Sequence, residues 1–83
     1  MQTHIQELIE QLNNQGFDWT DNELLVTPNK VIIVNRKSDD VIERYTIVKN
    51  KDNTFTCYFD FNGDEVASTT RNAIEQIVDY VME

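Results

Sequence analysis

Apolar residues along this chain repeat first with a helical period, then with a strand period, then with a helical period again. Ile5, Leu8, Ile9 and Leu12 fall at i, i+3, i+4 and i+7, one stripe of an α-helix. Gly16 follows as a C-terminal stop, and Phe17 is placed to fold back on Leu12 in a Schellman ending. The spacing predicts a helix over residues 2–14. At the other end Ala73, Ile74, Ile77, Val78 and Val81 form a second stripe, with Thr69 or Thr70 available as N-cap. That helix is expected over residues 70–82.

Between them the period falls to two. Phe55, Cys57, Phe59 and Phe61 alternate with Thr54, Thr56, Tyr58 and Asp60, so residues 54–61 read as a strand with one apolar face. Asn62-Gly63 comes next, and both residues tolerate positive φ, which predicts a type I′ hairpin. The return strand is expected over 64–68, with Val66 opposite Phe59. Upstream, residues 41–50 form a strand joined to 54–61 through Lys51-Asp52-Asn53, with Asn53 left-handed. This loop pairs Tyr45 with Phe59 and Ile47 with Cys57 inside, and Arg44 with Asp60 outside; a slip of one residue would set Arg44 against Phe59. Residues 24–27 and 31–35 form the first hairpin around Pro28-Asn29. Proline cannot supply positive φ, so that turn is not type I′ and its register stays open.

The expected fold is α+β: an N-terminal helix, an antiparallel meander of four or five strands, and a C-terminal helix, residues 1–83 forming one compact domain. Four or five strands spaced about 4.8 Å apart make a sheet roughly 20 Å wide. Two helices about 10 Å across cover one face of such a sheet. The helices are therefore expected on one face, leaving the other open. That open face would carry Ile42, Arg44, Thr46, Val48, Thr56, Tyr58 and Asp60, a mixed patch suited to interaction or dimerisation. Val31-Ile32-Ile33-Val34 is apolar on both faces, as expected of an interior strand.

Charge narrows the function classes. Fifteen acidic residues face seven basic ones, a formal net charge of −8. This disfavours a nucleic-acid backbone or an anionic membrane as partner. Arg36-Lys37 is followed at once by Ser38-Asp39-Asp40, and Lys49 and Lys51 lie beside Asp52, so each basic spot is neutralised by its neighbours and no basic footprint forms. Eight aromatics beside only three Gly and Pro argue for a folded chain. A lone Cys57, no basic n-region and a longest apolar run of four residues lead to the expectation of a cytoplasmic protein without signal peptide or membrane span.

Candidate chemistry is thin. Asp60, Asn62 and Asp64 have the spacing of the first calcium-loop ligands, but Gly63 comes two positions early and Arg71 stands where a bidentate Glu is required. One Cys and one His cannot build a structural zinc site, and Cys57 alternates inward among phenylalanines as a core residue. The turn carboxylates Asp18, Asp21, Glu23, Asp39, Asp40 and Glu43 read as solvated groups, and two glycines provide no phosphate loop. The expectation is a non-enzymatic protein without cofactor or metal. Trp19, among Phe17, Asp18 and Asp21, reads as a lid on the core edge or as an anchor for a partner. Arg44, Asp60 and Glu65 are expected in one row across three strands, with Asp60 and Glu65 as opposed like charges.

A small acidic domain of this kind is expected to bind protein, docking its negative surface on a basic one with salt-sensitive association. The expected contact residues are Asp18, Trp19, Asp21, Glu23, Asp39, Asp40, Glu43, Arg44, Tyr58, Asp60, Asp64 and Glu65. In size and charge the chain is similar to the acidic inhibitors that phages and mobile elements encode against host defence, such as anti-CRISPR and anti-restriction proteins. The likeness is one of bulk properties. It implies a DNA-mimic inhibitor occupying a nucleic-acid-binding groove of a host protein. The alternative is a homodimeric adaptor or assembly domain that uses the open sheet face.

Overall fold

A computed structural model describes residues 4–83, so residues 2 and 3 of the expected first helix lie outside the described residues. The elements run α1 (Ile5–Asn14), β1 (Asn22–Val26), β2 (Lys30–Arg36), β3 (Ile42–Lys49), β4 (Phe55–Phe61), β5 (Asp64–Arg71) and α2 (Ile74–Met82). The five strands form one antiparallel meander in the order β1-β2-β3-β4-β5.

Each turn follows from its residues. Gly16 takes φ +78°, the Phe17 N–H reaches the Leu12 carbonyl and the Gly16 N–H that of Asn13, so α1 ends in a Schellman motif. Asn62 and Gly63 both have positive φ, at 50° and 89°, as a type I′ turn requires. Asn53 is left-handed at φ 67°. Neither Pro28 nor Asn29 has positive φ. The turn between them closes through the Thr27 N–H to the Lys30 carbonyl, while the Lys30 N–H turns to Thr27 Oγ1, and this sets the pairs Val26↔Val31 and Leu24↔Ile33.

The β3–β4 register is the expected one, with Tyr45↔Phe59, Ile47↔Cys57 and Arg44↔Asp60. The β4–β5 register departs from expectation. A bulge between Phe59 and Asp60 sets Ala67, not Val66, opposite Phe59 and leaves Val66 60% exposed. The shift gives β5 a different set of inner residues. Thr69 faces Cys57 and Arg71 faces Phe55, so Arg71 turns to the helix side, where its guanidinium lies over the Tyr80 ring at 5.7 Å. Thr70 meets Thr56 with hydroxyls 2.9 Å apart. Thr69 and Thr70 therefore belong to a strand that runs to Arg71, and neither caps α2. Ala73 holds the N-cap position in extended geometry without a side-chain bond. Instead, the Gln76 side chain reaches back to accept the Asn72 N–H at 3.0 Å.

Both helices pack on the same face. Leu8 and Leu12 of α1 and Ile74, Ile77, Val78 and Val81 of α2 share one core with the inward row Val31, Ile33, Ile47, Phe55 and Cys57. Fully burying a side chain such as Leu8 or Ile47 contributes about 1.5–3 kcal/mol. Strand β2 is interior; on the open face Val34 is only 4% exposed and Ile32 half-buried, while Lys30 and Arg36 at its ends are exposed. No helix among the described residues is long and apolar enough to cross a membrane.

Candidate functional site

The meander sorts the charges by sheet end. The start of β1, the end of β2, the start of β3, the end of β4 and the start of β5 all meet at one end. In these strand ends and their flanking turns lie nine carboxylates, Asp18, Asp21, Glu23, Asp39, Asp40, Glu43, Asp60, Asp64 and Glu65, against three cations, Arg36, Lys37 and Arg44. The opposite end holds Lys30, Lys49, Lys51 and Arg71 against Asp52 alone. The remaining carboxylates, Glu7, Glu10, Glu75, Asp79 and Glu83, sit on or at the ends of the helices. The sheet itself is thus acidic at one end and basic at the other, and the five helix carboxylates bring the total to −8.

Few of these acidic groups are neutralised by contact. Among the described residues the close Lys or Arg ion pair is Lys37–Glu43 at 2.9 Å; His4 Nδ1 lies 3.8 Å from the Glu7 carboxylate. Hydrogen bonds from Thr20, side chain and backbone, hold Asp18 below the usual carboxylate range, and Thr54 acts in the same way on Asp52 at the far end.

One row on the open face runs Glu23, Val34, Arg44, Asp60, Glu65, with Asp60 directly opposite Glu65. The next row runs Leu25, Ile32, Thr46, Tyr58, Ser68 and is mostly apolar. Tyr58 therefore lies at mid-sheet rather than at the acidic end. Leu25 is 43% exposed at the sheet edge.

Besides the turn carboxylates, three of the expected contact residues, Glu43, Asp64 and Trp19, stand apart from that face; Asp64 pairs with Phe61 in the same helix-side row as Glu43. Glu43 faces the helix side, in line with Tyr45, and its side chain keeps 19% exposure beside Lys37. Trp19 packs half-buried against the core, edge-on to Phe17, and donates its indole N–H to Asn13 Oδ1 at 2.8 Å.

A polar cleft of about 260 Å³ opens on the helix side of the acidic end, lined among others by Asn22, Asn35, Lys37, Glu43, Tyr45 and Glu83. Asn35 and Asn22 lie on facing strands, and no sequence pattern marks their pairing, because the Pro28-Asn29 turn leaves the β1–β2 register open. Glu43 was within reach of the sequence: alternation counted back from Tyr45 carries it to the helix side.

The residues weighed for nucleophilic or metal chemistry have ordinary structural places. Cys57 is fully buried, and burial pushes its thiol up to about 12. His4 sits edge-on to Phe55 at 5.1 Å. Asn62 Oδ1 accepts the Ile42 N–H at 2.8 Å, which ties the β4–β5 turn to β3. No group of three or more His, Cys, Asp or Glu able to hold a metal ion occurs among the described residues. The chain is similar to no protein-family model, no curated protein and no solved structure at a level that marks kinship, so its residues and geometry alone carry the functional reading.

Proposed function

We propose that this is a non-enzymatic protein-binding domain that docks the acidic end of its sheet on a basic surface of another protein. The observation that carries this reading is the gathering of nine carboxylates at one sheet end, where Lys37–Glu43 is the close ion pair. Such a field steers association and makes it fall with salt. Asp39, Asp40, Asp64 and Glu65 are exposed there, free to meet lysine and arginine side chains. The partner surface is of the kind that binds a phosphate backbone, and occupying it makes the domain a competitor of nucleic acid, in the manner of DNA-mimic inhibitors of the anti-CRISPR type.

The test is capture from a host lysate at low and high salt, with duplex DNA added as competitor. A nucleic-acid-binding protein held at low salt, and released by salt or DNA, is the expected result. Capture of no basic protein at low salt overturns the reading. Sedimentation of the domain alone decides the alternative: a dimer insensitive to salt assigns the open face, with its Leu25–Ile32–Tyr58 row, to self-association instead.

A further inference from the structure

We infer that the cleft at the acidic end is a socket for a guanidinium group, supplied by an arginine side chain of the basic partner; the inference rests on the docking reading above. It starts from one atom. Asn22 donates its side-chain N–H to the Asp18 carbonyl, which turns Asn22 Oδ1 toward Asn35. Asn35 in turn donates its Nδ2 to that oxygen at 2.9 Å. This relay fixes the orientation of both amides and leaves Asn35 Oδ1 buried, with no hydrogen-bond partner among the described residues. A buried acceptor without a donor is costly, so the position favours whatever brings one.

The surrounding groups define that donor. Glu43 and Glu83 line the same cleft, which repels anions. An apolar group would cover the orphan oxygen without pairing it. Water brings a donor but no charge to offset the two carboxylates; a cation that donates in more than one direction brings both. An ammonium is a compact point charge, whereas a guanidinium carries five N–H donors in a planar fork. It can address the Glu43 carboxylate while lying against the Tyr45 ring, and it reaches Asn35 Oδ1, closed to solvent in the free protein, once Lys37 yields and the cleft opens around it. Burial, followed by the charge of Glu43, pushes the Tyr45 hydroxyl up, with Cys57, Tyr80 and Glu83 adding smaller contributions. A volume of about 260 Å³ suits a side-chain head rather than a drug-sized ligand.

Lys37 gives the inference its test. Its ammonium already rests on Glu43 at 2.9 Å, on a side chain 60% exposed. It is an internal competitor, and an incoming guanidinium displaces it. The probes are three short blocked peptides, Gly-Arg-Gly, Gly-Lys-Gly and Gly-citrulline-Gly, titrated into the whole protein while the Asn35 side-chain amide and Tyr45 are followed by NMR. Saturable shifts are expected with the arginine peptide, weaker ones with lysine and none with citrulline. Lys37→Met is expected to tighten the arginine peptide about threefold, the size of one released surface ion pair. Arg36→Met makes the same charge change on the open face and should do less. Equal effects of the two substitutions, equal shifts from citrulline, or no saturable shift with either the parent protein or Lys37→Met overturns the socket. The two proposals fail separately. A Glu43→Gln, Asn35→Leu variant that still captures a basic protein at parent strength removes the socket and leaves the docking reading standing. Failure of the parent protein to capture any basic protein removes the docking reading, whatever the peptides do.

Discussion

Gly63 sits at φ +89°, with nothing within 4 Å of where a Cβ would stand. Gly63→Ala is therefore expected to cost about 1 kcal/mol, all of it backbone strain, read as a lower urea midpoint. Cys57 sets a pH dependence of definite sign. The unfolded thiol ionises near 9.0, the folded one near about 12. Between those values the folded chain keeps a proton that the unfolded chain has lost. The stability linked to this group is complete below pH 9.0 and is lost as pH climbs toward about 12. Tyr45 and Tyr80, both pushed up chiefly by burial, act in the same direction at higher pH. Urea midpoints at neutral and strongly alkaline pH should show the fall, and Cys57→Ala should delay its onset; a flat profile would contradict the burial of the thiol. At this scale the sequence was informative wherever backbone chemistry decides. Asn53, Asn62, Gly63 and Gly16 announce their φ values, while the Asn22–Asn35 relay depends on a register that no single residue encodes.

Helix α2 begins without the side chain that most helices use at their first turn. Ala73 has the extended backbone of an N-cap, φ −144° and ψ 154°, but offers no oxygen to the free N–H groups. Ala73→Ser is expected to raise stability by about 1 kcal/mol, visible as a higher thermal midpoint. An unchanged or lower midpoint would mean that the Gln76–Asn72 bond already satisfies this end. The elements themselves were legible because their signals are local: two stripes of period 3.6 and a Phe row of period two. The β3–β4 register was legible because a slip would place Arg44 against Phe59. The β5 bulge was not. Simple alternation assigns Val66 to Phe59, since an apolar pair is the locally better match. The chain instead exposes Val66, and in that register Arg71 reaches Tyr80 and Thr70 meets Thr56. Those gains lie in another strand and another helix, out of reach of a reading that proceeds turn by turn.

Across the whole molecule, sheet order converts a count of charges into a direction. Carboxylates scattered from Asp18 to Glu65 become neighbours only because the meander returns to the same end every second turn. Reversing Asp39, Asp40 and Asp64 to Lys is expected to weaken association with a basic partner strongly at low salt and little at high salt, with the urea midpoint nearly unchanged because all three are exposed. Titration calorimetry at two salt concentrations measures it. Equal affinity would move the contact surface away from this end. Glu43 is left out of that set because it is tied to Lys37 on the helix side.

The meander leaves β1 and β5 as unpaired edges, each offering backbone groups to any passing strand. The extra residue at Val66 interrupts the ladder along β5 and bends that margin out of the flat geometry on which strands polymerise. An exposed valine that contributes little to the core is then part of a guard: with Val66 deleted, β5 becomes a regular border, and the expected consequence is fibre growth at concentrations where the parent chain stays dispersed.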